Sequence, residues 1–110
     1  MDCIFCAIAV KLASSEVVYE DEDFVSFKDI HPKAPVHALI IPKKHIDSIN
    51  HLCPEDTVRM GKMICLAPVV AKKLGIQEGY KLLFNVGKKG GQIVDHIHLH
   101  LMGGWSAVAK

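Results

Sequence analysis

The chain has 110 residues, half of them apolar and 23% charged, with a net charge of +1 when the histidines are neutral; this fits one compact domain over residues 1–110 and argues against a disordered or repeat protein. There is neither a basic stripe for a phosphate backbone nor an apolar run near the ~20 residues of a membrane span, so no nucleic acid polymer and no membrane are expected as partners. The N-terminus lacks the basic start, apolar stretch and small-residue cleavage site of a signal peptide, so the expected location is cytoplasmic, where the four cysteines serve as thiols or metal ligands.

In chain order, "CIFCAIAVK" (3–11) predicts a short helix opened by two cysteines. "VVYE" and "FVSFKD" predict two strands joined through the acidic "EDED", and Asp29 to Pro35, with two prolines, predicts an ordered loop. "VHALIIP" resumes as a strand. A long helix is expected over Glu55 to Leu74, where Met60, Met63, Ile64, Ala67, Ala71 and Leu74 form one apolar stripe; Pro68 is expected to kink it and Gly75 to end it. A strand at "YKLLFNV", a glycine-rich loop at "GKKGGQ" and a final strand from Ile93 to about Met102 complete the chain. The fold class is α+β: an antiparallel sheet of about five strands, a short N-terminal helix and one long helix, with the helices on one face.

The most informative stretch is "DHIHLHLMGG". Strand side chains alternate faces, so His96, His98 and His100 share one side while Ile97, Leu99 and Leu101 face the core. Such a face could be merely solvated, could ligate a metal, or could supply nucleophilic and acid–base imidazoles. The preceding "NVGKKGGQ" tips the balance towards phosphorus chemistry, because glycines let main-chain N–H groups close on an anion. "CIFC" alone is ambiguous: a redox pair, half a zinc site, or coincidence.

Taken together, "CIFCAI", "VYEDEDFVSFKDIHPKAPVHALIIPKKHI", "FNVGKKGGQ" and "QIVDHIHLHLMGG" resemble the histidine triad (HIT) superfamily, and within it the Hint branch, over residues 2–104. That resemblance implies cleavage of purine nucleoside phosphoramidates or aminoacyl adenylates, at a P–N or P–O bond of the α-phosphate, through a covalent nucleotidyl-histidine. It makes His98 the nucleophile, oriented by the carbonyl of His96. His100 and His37 contact phosphate oxygens and help protonate the leaving group. Asn85, Gly91, Gln92 and Ile93 would bind the phosphoryl group with His98 and His100; Asp29 would accept from ribose hydroxyls and Ile30 would line the base pocket.

The same resemblance implies a structural zinc held by Cys3, Cys6, His45 and His96, no cofactor for catalysis, and a homodimer pairing the long helix and the strand near it. Two departures stand out. Ile93 occupies a position where Hint proteins carry a serine, threonine or acidic residue, and the segment after Met102, "GGWSAVAK", is shorter than the family's. Both motivate the alternative of a weakly catalytic, purine-nucleotide-binding regulatory protein, and a dinucleoside polyphosphate hydrolase, which shares the triad, is the other alternative. A zinc-binding interaction protein, its histidines serving only as ligands, is the third class.

Overall fold

The computed structural model describes residues 2–106; the end of "GGWSAVAK", residues 107–110, lies outside them. Five strands form one antiparallel sheet: β1 (Val17–Glu20), β2 (Phe24–Lys28), β3 (Val36–Pro42), β4 (Tyr80–Leu83) and β5 (Leu99–Gly103), in spatial order β1-β2-β3-β5-β4. Two helices, α1 (Ile4–Ala9) and α2 (Thr57–Lys73), complete it. None of the described helices is long and apolar enough to cross a membrane.

The helices lie on opposite faces of the sheet, which corrects the expectation of a single covered face. Met63, Ala67, Val70 and Ala71 of α2 pack with Phe24, Ala38, Ile40, Leu99 and Leu101. Phe5, Ile8 and Ala9 of α1 pack with Val25, Phe27, Leu39 and Ile41. The signal was present in β3, where Ala38, Leu39, Ile40 and Ile41 are all buried. A central strand covered on both sides reads as an unbroken apolar run, not an alternation.

The final strand begins six residues later than expected, at Leu99 rather than Ile93. Its ladder with β3 runs from Val36↔Gly103 to Ile40↔Leu99 and then stops. Pro42 has no N–H to extend it; instead its carbonyl accepts from the His96 ring, with Nε2 2.8 Å away. The side-chain alternation nevertheless persists through the irregular stretch: Ile97 joins Leu99 and Leu101 in the α2-side core, and His96, His98 and His100 lie on the α1 side.

Along α2 the stripe is also shifted. Val70 is fully buried whereas Ile64 is 41% exposed. The helix continues through Pro68, whose missing N–H leaves the Ile64 carbonyl without its helical donor. Both residues are exposed, so water can satisfy that carbonyl.

The glycine pair closing the histidine segment is steric in origin. A Cβ on Gly103 would stand 2.9 Å from Ile76 Cδ1, and one on Gly104, at φ +86°, would stand 2.9 Å from Val36 Cγ2 and 3.2 Å from Pro35 Cβ. Gly104→Ala is therefore expected to destabilise the fold by about 1–3 kcal/mol through backbone strain and overlap. A calorimetric melting temperature within a degree of the parent's would contradict this.

Candidate active site

His98 is 8% exposed, and its Nδ1 lies 2.8 Å from the His96 carbonyl oxygen. A carbonyl only accepts, so Nδ1 carries a proton and, in the neutral ring, Nε2 is bare. The edge of Phe5, from α1, holds the ring at 5.1 Å between centroids. The fold thus fixes both the tautomer and the plane of one imidazole.

A second chain of contacts fixes the neighbouring rings. The Lys33 main-chain N–H donates to His37 Nδ1 (3.0 Å), so a neutral His37 is protonated at Nε2. That Nε2 is 2.9 Å from His100 Nδ1 and 3.5 Å from Asp29 Oδ2. His100 Nδ1 must then accept, which leaves its Nε2–H facing the Asn85 amide 3.3 Å away, and the amide is read with its oxygen towards the ring. The ring of His100 is 5.0 Å from that of His98. The donor atoms of Asp29, His37 and His100 lie within 4.8 Å of one another, but the protonated His37 Nε2 makes this a hydrogen-bond network and not a ready ligand set.

The glycine-rich turn lies against Asn85: a Cβ on Gly91, at φ +89°, would be 3.8 Å from Asn85 Cγ. The Gly91 N–H is already engaged with the Lys88 carbonyl (3.0 Å). Gln92 is 3% exposed and its amide is committed internally, to the carbonyls of Asp47 (2.6 Å) and Val94 (3.0 Å) and from the Gly87 N–H (2.9 Å). It braces the loop. The side chains of Ile30 and Ile93 are open to solvent, at 83% and 81% exposure. Asp29 Oδ1 accepts from the His31 N–H (2.9 Å) and retains lone-pair capacity.

Cys3, Cys6, His45 and His96 converge separately, with their donor atoms within 4.8 Å of one another. His96 Nδ1 is 3.4 Å from Cys3 Sγ and 3.5 Å from Cys6 Sγ, and His45 Nδ1 is 3.2 Å from Cys6 Sγ. Each ring is oriented from behind: His96 Nε2 donates to the Pro42 carbonyl and His45 Nε2 to Asp47 Oδ1 (2.9 Å). Both bare Nδ1 atoms therefore face the sulfurs, as second-sphere hydrogen bonding requires of metal-ligating imidazoles. A tetrahedral ion with bonds of ~2.0–2.3 Å spaces its ligands by ~3.3–3.8 Å, close to these separations. The donor set fits a closed S₂N₂ site.

Burial, reinforced by His98 and His37, pushes the His100 imidazole down to about 4. Burial also lowers His37 and His96 from the usual histidine range. A group whose folded pKa is depressed is protonated first in the unfolded chain, so stability falls as pH drops from about 6.5 towards 4. For His100 the loss is expected to be on the order of 2 kcal/mol, allowing for its partial exposure. Urea midpoints at neutral pH and near the lower limit should show a smaller difference in His100→Gln than in the parent; an equal difference would contradict the assignment.

A groove of about 1030 Å³ lies elsewhere on the described surface, between Gly75–Lys81 and Gly104–Ser106. Its lining contains no histidine or cysteine, so it stands apart from both histidine clusters. Sequence reasoning missed Phe5, the Lys33 N–H, the Pro42 carbonyl and Asp47, which hold the histidine rings. Main-chain partners leave no side-chain signature, though a donor in "HPKAP" was foreseeable between two prolines.

Residues 11–107 match the HIT domain family. The chain is 51% identical to Protein HitA of Neisseria gonorrhoeae over 102 residues, 93% of this chain and 95% of that one. It superposes on the HIT family hydrolase from Legionella pneumophila Philadelphia 1 with a TM-score of 0.92 and 46% identity, over 96% and 95% of the two chains. The corresponding values for the histidine triad nucleotide-binding protein from Candida albicans are 0.82 and 33%, over 99% and 86%.

Proposed function

This chain belongs to the HIT domain family, and on that footing we propose that it is a nucleotide hydrolase of the Hint type, a single HIT domain cleaving purine nucleoside phosphoramidates or aminoacyl adenylates. The observation that carries this reading is the bare Nε2 of His98, its Nδ1–H tied to the His96 carbonyl. Nucleophilic attack by that nitrogen on the α-phosphorus forms a P–N bond to His98 while the bond to the leaving amine or carboxylate breaks. Water then displaces the histidine and releases the mononucleotide, so that one difficult step becomes two easier ones.

His37 and His100 form a hydrogen-bonded pair that delivers a proton towards the leaving group and holds a phosphate oxygen. A bound phosphate anion favours the protonated rings, opposing the burial that depresses them in the free protein. Asn85 and the Ile93 N–H, which has no partner among the described residues, complete the phosphate cradle. Asp29 offers its carboxylate to the ribose. The names of the Legionella and Candida relatives, a hydrolase and a nucleotide-binding protein, agree with this assignment.

Cys3, Cys6, His45 and His96 would hold a zinc ion, whose filled shell ties α1 to the catalytic segment and leaves catalysis to the histidines. A homodimer is supported by the position of β4 at the end of the sheet, with Leu82 and Leu83 at 40% and 44% exposure, and by Ile64 and Val69 of α2 at 41% and 42%. Leu82 pairs with Leu101 and so projects to the α2 side, in the layer of that helix.

The exposed Ile93, lacking a hydroxyl, favours a secondary reading as a slow, nucleotide-binding regulator. Comparing kcat/KM for adenosine 5′-phosphoramidate and for a diadenosine polyphosphate distinguishes the readings. The phosphoramidate is expected to be preferred by at least about tenfold. Preference for the polyphosphate would reassign the substrate, and tight binding without turnover would establish the regulator.

A further inference from the structure

Two observations meet in α1. Cys3 caps the helix, its sulfur accepting from the Cys6 N–H at 3.4 Å, and both sulfurs are only partly buried. The helix has 6 residues and holds the sheet through Phe5, Ile8 and Ala9. Phe5, lying between the two cysteines in sequence, meets His96 and His98 edge-on at 6.0 and 5.1 Å. His96 connects the sites directly: its ring faces both sulfurs, and its carbonyl holds the His98 proton.

We infer that Cys3 and Cys6 are a reversible disulfide-forming pair whose oxidation unlatches α1 from the catalytic segment and so releases the alignment of His98. The inference rests in part on the nucleophile assignment above. A pair with two residues between its members, at a helix start, is the spacing at which one thiolate attacks an oxidant and the other resolves the mixed disulfide. The oxidant is a low-molecular-weight disulfide. One cysteine sulfur bonds to an oxidant sulfur and expels the first small thiolate; the second cysteine displaces the remaining one. The two cysteine thiols lose two protons and two electrons in total, and the small disulfide leaves as two thiols.

Closure takes away both sulfurs as proton donors to, or co-ligands with, His96 Nδ1, in a ring that is completely buried. The remaining cysteines do not share this arrangement. Cys53 donates to Glu55 and Asp56 at 2.9 and 3.1 Å, and Cys65 lies exposed on α2.

The test uses full-length, zinc-loaded protein carrying Cys53→Ser and Cys65→Ser, neither of which touches either site, treated with oxidised glutathione. Intact mass is expected to fall by about 2 Da without a glutathione adduct, and a chromophoric chelator to capture one zinc per chain. The ¹⁵N signal of His98 should lose its fixed Nδ1–H form, and single-turnover nucleotidylation should slow by at least about tenfold. Dithiothreitol and zinc should restore every signal. Adding Cys6→Ser should abolish closure; if that variant does not fold, His45→Ala should release zinc at lower oxidant while closing normally. Retained zinc, a persistent mixed disulfide, or closure with the His98 signal unchanged would each overturn the inference. Should the reduced protein form no nucleotidyl adduct, the nucleophile reading fails by itself, and the mass, zinc and ¹⁵N measurements still decide the latch.

Discussion

Replacing His98 with asparagine is expected to lower turnover of a purine nucleoside phosphoramidate by at least about 10⁴-fold, while the protein stays folded and binds the mononucleotide. Asparagine is the informative substitution because its side-chain amide can still donate to the His96 carbonyl, which accepts from Nδ1 at 2.8 Å in the parent. Alanine would remove the nucleophile and also leave that carbonyl without its donor, adding a stability loss of about 1–3 kcal/mol to the catalytic one. The two variants together separate the bare nitrogen from the hydrogen bond that positions it. Turnover within tenfold of the parent in His98→Asn would remove the basis of the mechanism.

Phe5→Ala is expected to have the largest effect on stability outside the sheet. The ring is 7% exposed and contacts Phe27 at 5.5 Å as well as both histidines. Truncating such a side chain costs about 3–5 kcal/mol, which lowers the melting temperature of a domain this size by roughly 10–20 °C. Phe5→Leu, which keeps most of the volume but no ring edge, should cost about 1 kcal/mol and slow catalysis disproportionately to that loss. Scanning calorimetry alongside kcat separates the effects: equal melting temperatures for Phe5→Ala and the parent would show that α1 contributes little to holding the site.

Much of this arrangement was legible in the sequence because it resides in side-chain type and spacing. Histidines at 96, 98 and 100 with apolar residues between them imply two faces whatever the backbone does at the strand's end, and the alternation survives where the ladder does not. The set Cys3, Cys6, His45 and His96 came from resemblance, and the geometry brings those four donors together. Residues whose environment depends on tertiary packing were less legible. Ile64 fits the helical stripe as well as Val70 does, and only the position of α2 on the sheet separates them. Gln92 is polar beside a glycine-rich loop, which suits a ligand contact, yet the carbonyls of Asp47 and Val94 take its amide. The opposite placement of the helices was encoded in the unbroken apolar run of β3, a signal that alternation-based reading passes over.

The most direct test of the central claim is acid quench of the wild-type protein during turnover of adenosine 5′-phosphoramidate, followed by intact mass and peptide mapping. The expected result is a transient gain of one nucleotidyl group, carried by the peptide containing His98 and absent from His98→Asn. Turnover with no such gain at any quench time, or the group found on another residue, would contradict it.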